Sequence, residues 1–264
     1  MREVIVDKLN VQIFDSRAQL GRQAARLVAE KIRQLLDKKS TLNIIFASAP
    51  SQNEFLDALA ADTSLPWNRV TAFHMDEYIG LPADAPQNFG NFLRVKLFDK
   101  VPLRAVHYLD GNAPDPQAEC ERYAALLRQY PTDLVCMGIG ENCHIAFNDP
   151  HVADFQDEVL VKQVALDEAS RQQQVHDGCF ESLAQVPTHA LTLTVPALTQ
   201  GTYLYCMVPG THKAAAIGHT LLDDISEKYP STILRKHPNA TLFVDGDSAG
   251  QLPQELFAAE SKVE

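Results

Sequence analysis

The segment Leu42-Asn43-Ile44-Ile45-Phe46-Ala47 is apolar at almost every position, even and odd alike. Neighbouring residues of a strand point to opposite faces. A run of this kind therefore has both faces buried, as in the strands of a parallel sheet. Such a strand demands a layer of helices on each side, and the remaining sequence is organised to supply them.

Strand-like and helix-like stretches alternate along the chain. Val11–Phe14 reads as a short strand, and Ser16 is a good N-cap for an amphipathic helix through Lys38. Beyond Leu42–Ala47, strands are predicted at Arg69–Met75, Ala105–Leu109, Leu134–Met137, Val159–Leu166, Ala190–Val195, Tyr203–Val208 and Thr241–Val244. Helices are predicted at Asn53–Ala61, Asn88–Phe98, Pro116–Gln129 and Asp167–Phe180, from Gly210-Thr211 through Leu222, and at Ser231–Lys236. The repeated β-α order predicts an α/β fold: a doubly wound, mostly parallel sheet with right-handed crossovers and helices on both faces, a Rossmann-like three-layer sandwich. A chain of 264 residues with no internal repeat, low-complexity tract or long linker reads as one domain spanning 1–264.

Composition narrows the partners. A formal net charge of −11 argues against non-specific binding to nucleic acid or anionic membrane. An anionic substrate would need a local positive site working against that field. No run approaches the roughly 20 apolar residues of a membrane span, and Met1–Asp7 carries acids, unlike a signal peptide. The five cysteines (Cys120, Cys136, Cys143, Cys179 and Cys206) are odd in number and lack Cys-x-x-Cys spacing, so free thiols in a reducing cytoplasm are expected.

Two segments carry the chemistry. Phe73–Leu81 runs from an apolar strand into Asp76, Glu77 and Tyr78, and Met137–Pro150 runs from a strand into Gly138, Gly140, Asn142, His144 and Asp149. In an open α/β sheet, ligands bind in the crevice beyond the carboxyl ends of the strands. Asp76 and Glu77 are adjacent, so only one is expected to face that crevice. Gly138 and Gly140 permit a tight turn and a close approach of ligand to backbone N–H groups. They lack the rest of a dinucleotide fingerprint, because Cys143 holds its last glycine position. His144 beside Asp149 suits an acid/base oriented by a carboxylate. His144, Asp149 and His151 are close in sequence, but no His-x-x-x-His pair or cysteine cluster supports a metal.

With these segments, Asn112–Asp115, Val186–Thr192 and Pro209–Ala214, the chain resembles the glucosamine-6-phosphate deaminase/isomerase family over nearly its whole length. That family shares its fold with the 6-phosphogluconolactonases; Met-Asp-Glu-Tyr and Ala-Phe-Asn-Asp favour the deaminase branch. The resemblance implies that Asp76 moves a proton between sugar carbons and that His144 promotes ring opening, flanked by Asp149 and by the position of Asn142. It implies that Lys213 helps hold a phosphate at a helix N-terminus. Ser48, Ser51, Gln52, Glu77, Gly140, Arg171 and His176 complete the expected substrate- and phosphate-binding set. The implied reaction isomerises an amino-sugar phosphate and releases ammonia, with no cofactor and no metal; homo-oligomers are common in the family.

The chain departs from the family pattern at several points. A glycine-rich phosphate loop is replaced by Ala47–Asn53, with Pro50 in it, and proline has no N–H to donate. Arg171 lies several residues before the family's phosphate arginine, and His176 falls near its place. Asn142 is neutral where the family has an acid, Cys143 replaces a glycine, and Asp149 is one methylene shorter than the usual glutamate. The leading expectation is therefore an aldose–ketose isomerase/deaminase. The alternatives are a sugar lactone hydrolase on the same fold and a non-catalytic sugar-phosphate sensor.

Overall fold

The chain begins with a hairpin: in the computed structural model, which describes residues 1–253 and Leu256, β1 (Arg2–Val6) runs antiparallel to β2 (Leu9–Phe14). The sequence reading missed β1 and started β2 two residues late. The alternation of Leu9, Val11 and Ile13 was legible, but the turn at Asp7-Lys8 carries no glycine; Asp7 takes φ +54° instead. Helix α1 (Arg17–Leu36) follows, with the Ser16 hydroxyl accepting from Gln19 N. Leu20, Ala24, Val28 and Ile32 form one buried stripe at a four-residue interval. Each large side chain buried there contributes roughly 1.5–3 kcal/mol.

β3 (Leu42–Phe46), α2 (Asn53–Ala60) and β4 (Val70–His74) come next, and β5 (Asp76–Tyr78) starts after a single intervening residue. The stretch expected as one helix from Asn88 to Phe98 is α3 (Phe89–Leu93) running into a π-helical turn, Arg94–Phe98. The wider turn, closed by Asp99 N donating to Arg94 O, accompanies burial of both Leu97 and Phe98. β6 (Ala105–His107), α4 (Pro116–Gln129), β7 (Leu134–Met137), β8 (Val161–Ala165) and α5 (Glu168–His176) follow. The last part comprises β9 (His189–Leu193), α6 (Val195–Thr199), β10 (Tyr203–Val208), α7 (Ala214–Leu222) and β11 (Ala240–Asp245). The expected helix at Ser231–Lys236 is a 3-10 helix, Pro230–Lys236, and α7 is preceded by a 3-10 turn, Thr211–Lys213.

The main sheet has the order β1-β2-β11-β10-β7-β3-β4-β6, parallel throughout except for the first pair. Its strands alternate between two cores. Ile44, Phe46, Leu134 and Cys136 pack against α1 and α2, while Ile45, Val135 and Met137 pack on the opposite face with α4 and α7. That is the two-sided burial Leu42–Ala47 demanded. The segments expected as strands at Val159–Leu166 and Ala190–Val195 leave the main sheet: β8 and β9 pair antiparallel with each other, and β5 with β9, as a separate sheet. Among the described residues, no helix is long and apolar enough to cross a membrane.

Strand order reverses between β3 and β7. From β3 the chain winds outward through β4 and β6; from β7 it winds the other way through β10 and β11. The crevice beyond the carboxyl ends of β3 and β7 is the switch point at which such sheets bind ligands.

Candidate active site

A small, open cleft occupies that switch point, lined by residues that follow β3, β4, β7 and β10. It gathers Ser48, Ser51 and Gln52 from the first connection, Asp76 from the second, Gly140 and His144 from the third and Lys213 from the last.

Asp76 is placed by a change of sheet. β4 ends at His74, and Asp76 pairs with Thr192 of β9 in the small sheet. The imidazole of His74 pins the crossover: Nδ1 donates to Asp76 O at 2.9 Å, and Nε2 accepts from Leu109 N at 3.0 Å. Burial pushes the pKa of His74 down to about 4, so it is a neutral structural bracket above that pH. The Asp76 carboxyl has no hydrogen-bond partner among the described residues. Burial, then the like charge of Glu77, hold its pKa well above the ordinary range.

Glu77 faces the other way, as strand alternation requires, and does not line this cleft. Its carboxyl accepts from Tyr78 N at 2.9 Å, Phe89 N at 3.0 Å and Gly90 N at 2.9 Å, satisfying the first turn of α3. It borders a different cleft with Arg94 and Asp110. Burial outweighs those three bonds and pushes its pKa up to about 7. The expected role of Glu77 in binding substrate is thus corrected: its place is behind Asp76.

The loop after β7 is folded around His144. Gly140 N donates to His144 O at 2.8 Å and Cys143 N to Gly140 O at 3.0 Å. The Gly140 N–H expected to greet a ligand is therefore spent inside the loop. What Gly140 supplies is room, for a Cβ there would sit 2.1 Å from His144 Cε1. Cys143 takes φ +70°, a torsion that suits glycine, and its thiol is buried with a pKa pushed up to about 11, so it is not a reactive nucleophile. His144 Nδ1 lies 2.7 Å from Asn142 Oδ1, 3.2 Å from Asp149 Oδ1 and 3.5 Å from Ser170 Oγ. These partners engage Nδ1, and Nε2 has no protein partner among the described residues. Asp149 is fully buried. Burial alone would raise its pKa, but bonds from His144 and Asn142, the charge of His144 and the Asp167 N–H together hold it below the ordinary value. The shorter reach of an aspartate suffices here.

The other end of the cleft is mostly neutral. Ser48 Oγ donates to Phe89 O at 3.2 Å, and Gln52 Nε2 donates to Met207 O at 3.1 Å. Lys213 ends the turn opened by Gly210, whose φ is +99°. The residue is only 5% exposed, and its ammonium has no hydrogen-bond or ion-pair partner among the described residues. Burial lowers its pKa, against the opposing charges of Asp177 and Glu141. Arg171 is turned away: Nη2 donates to Leu183 O at 2.7 Å and Val186 O at 2.9 Å, tying α5 to the segment before β9. His176 lies outside the lining, exposed, with Nδ1 3.3 Å from Glu141 Oε2 and its ring stacked on His212. Both were expected at the phosphate, and neither reaches the cleft.

Sequence reasoning missed Gln173 and Gln174, which line the cleft from α5. The signal was present. A helix with three consecutive glutamines and little apolar surface has no stripe for a core, so a buried face must meet polar groups. Asp149, His151 and Asp167 have ligand atoms within 4.8 Å of one another. Each already has a partner: Asn142 and His144 for Asp149, Asn142 and Ser170 for Asp167, Ala165 O for His151. The group is explained as a hydrogen-bonded cluster.

The family model described as glucosamine-6-phosphate isomerases/6-phosphogluconolactonase matches residues 15–243. A glucosamine-6-phosphate deaminase of Exiguobacterium sp. strain AT1b is 34% identical over 242 residues, 91% of this chain and 92% of its own. One from Bacillus cereus strain B4264 is 30% identical over 254 residues, 96% and 93% of the two chains. Among solved structures, a monomeric glucosamine-6-phosphate deaminase aligns with a TM-score of 0.82 at 27% identity, covering 91% of this chain and 98% of its own. A 6-phosphogluconolactonase from Thermotoga maritima, at 22% identity, covers 90% of this chain and 100% of its own, and shares the fold with a TM-score of 0.74.

Proposed function

The chain belongs to the glucosamine-6-phosphate isomerase/6-phosphogluconolactonase family, and on that premise we propose that it isomerises and deaminates an amino-sugar phosphate, converting it with water to a ketose phosphate and ammonia. The observation that carries this reading is the unpartnered, protonation-prone carboxyl of Asp76 in one cleft with an imidazole whose Nδ1 is already engaged. His144 Nε2 relays the proton between the anomeric hydroxyl and the ring oxygen, opening the ring. Asp76 removes the proton from C2 of the open aldose and returns it to C1 by way of an enolamine. Water adds to the resulting C2 imine, the C–N bond breaks, and ammonia leaves with a ketone at C2. The chemistry asks the protein only for proton transfer and orientation.

The test is a screen of 2-amino sugars with and without a 6-phosphate, read by ammonia and ketose formation, beside an assay of 6-phosphogluconolactone hydrolysis. Ammonia from a 6-phosphorylated amino sugar is expected. Lactone hydrolysis alone would assign the cleft to the lactonase branch. Thermal stabilisation by sugar phosphates with no product would make it a sensor.

Among the described residues that line this cleft, Lys213 is the cation available to a phosphate. Lys213→Ala should raise KM for the phosphorylated substrate roughly 10- to 100-fold, the equivalent of one charge-assisted hydrogen bond. kcat should change far less, and the constants for the unphosphorylated sugar should not move. Equal losses on both sugars would place Lys213 away from the phosphate.

Asp76 must lose its proton to act as a base, so the acidic limb of kcat/KM should lie above the ordinary carboxyl range. Glu77→Gln removes a like charge that favours the protonated Asp76, so the limb should move to lower pH. A limb that stays in place or moves upward removes Glu77 from the tuning of the base.

A further inference from the structure

Behind His144, three side chains are bonded in a single polarity. Asn142 Nδ2 donates to two carboxyl groups at once, 3.0 Å to Asp149 Oδ1 and 3.0 Å to Asp167 Oδ2. Ionised carboxyls accept and never donate, so the amide can turn only its NH₂ toward them. Its Oδ1 is thereby aimed at His144, 3.2 Å from the backbone N and 2.7 Å from Nδ1. An amide oxygen also only accepts, so the proton of the neutral imidazole is required on Nδ1. Nε2 is left as the basic nitrogen.

Asp149 favours the same tautomer, with Oδ1 3.2 Å from Nδ1, but it does not by itself hold the amide of Asn142. Its Oδ1 is shared between Asn142 and His144, and the second N–H of Asn142 needs an acceptor of its own. Asp167 provides it from a separate element. It caps α5, accepting from Ser170 N at 2.6 Å, and its own N–H donates to Asp149 Oδ2 at 3.2 Å. The residue that fixes the amide is thus the joint between the histidine loop and the helix carrying Gln173 and Gln174 to the cleft.

We propose that Asp167 is a positioning residue for His144, locking the tautomer of the imidazole through Asn142. Its consequence for turnover rests on the proton-transfer role proposed above; its consequence for the ring does not. It also accounts for a neutral side chain at position 142. The second acid of the cluster stands at Asp167, and an aspartate at 142 would crowd three carboxyls together without the amide N–H groups that now bridge two of them.

Two variants separate this from a role in capping the helix, because serine and asparagine cap as well as aspartate does. Asp167→Ser and Asp167→Asn should both fold with thermal midpoints within a few degrees of the parent. ¹⁵N spectra of the histidine side chains, with His144 assigned by the signal lost in His144→Gln, should show one Nδ1–H tautomer in the parent. Both variants should show a mixture. kcat for ammonia release should fall about 5- to 20-fold with KM within about twofold. A single unchanged tautomer in both variants overturns the proposal, whatever kcat does. If the parent releases no ammonia from any amino sugar, the proposed reaction fails, and the spectra still decide the role of Asp167.

Discussion

Asp76→Asn is expected to lose ammonia and ketose formation by about 10³-fold or more, within the range a positioned general base contributes, while remaining folded. The asparagine is nearly isosteric and cannot take a proton from carbon. The Asp76 carboxyl accepts no bond whose loss would unfold the site. Its stability effect follows from the direction of its shift. A carboxyl whose folded pKa is raised binds its proton more tightly in the folded chain than in the unfolded one, so stability falls as pH rises through the folded value. A neutral asparagine lacks that penalty. At neutral pH the variant should therefore melt at or above the parent temperature, with KM nearly unchanged. Measuring kcat, KM and Tm together decides the matter. Turnover within tenfold of the parent removes Asp76 from the mechanism, and a collapsed Tm would make it a structural residue.

The layers of this fold were legible because they rest on period and burial. Leu42–Ala47 could be solvated on neither face, and its side chains divide between two cores as that argument requires. What escaped was pairing. The sequence places Asp76-Glu77-Tyr78 just past the end of a strand, and only the proximity of β9 makes it a strand of a second sheet. The same blindness affects the site. Asp76 and His144 were readable because each follows an apolar strand closely, and such positions reach the crevice of a parallel sheet. Arg171 was misplaced because its side chain answers to carbonyls at Leu183 and Val186, a contact that exists only once α5 has docked. Asp167 looked like an ordinary helix cap, which it is. Its second bond, to Asn142 across 25 positions of sequence, has no local signature. Long-range polar contacts are written into geometry rather than periodicity, and they account for most of the difference.

Gly140→Ala should cost at least about 10² in kcat, although the added methyl group touches no substrate. The reason is space rather than torsion, because Gly140 is not in the left-handed region. A Cβ would lie 2.1 Å from His144 Cε1 and 2.3 Å from both ring nitrogens, where no real contact can persist. The loop cannot retreat easily, held by Ser231 N on Cys143 O at 2.9 Å and by Asn148 Nδ2 on Leu193 O at 2.8 Å. The ring must move instead, by about 1 Å, out of the 2.7 Å bond between Nδ1 and Asn142 Oδ1. A displacement of that size in a catalytic group costs about 10²-fold, and overpacking costs roughly 1–3 kcal/mol of stability. Gly138→Ala is the matched control. Its Cβ would meet Gln52 Nε2 at 3.1 Å, the end of a side chain that can give, so its effect should fall on KM and stay within about tenfold. Parent-like kcat in Gly140→Ala would mean that the imidazole can perform its step from a different place. The account of His144 as a fixed proton relay would then fail, whatever the other residues of the cleft do.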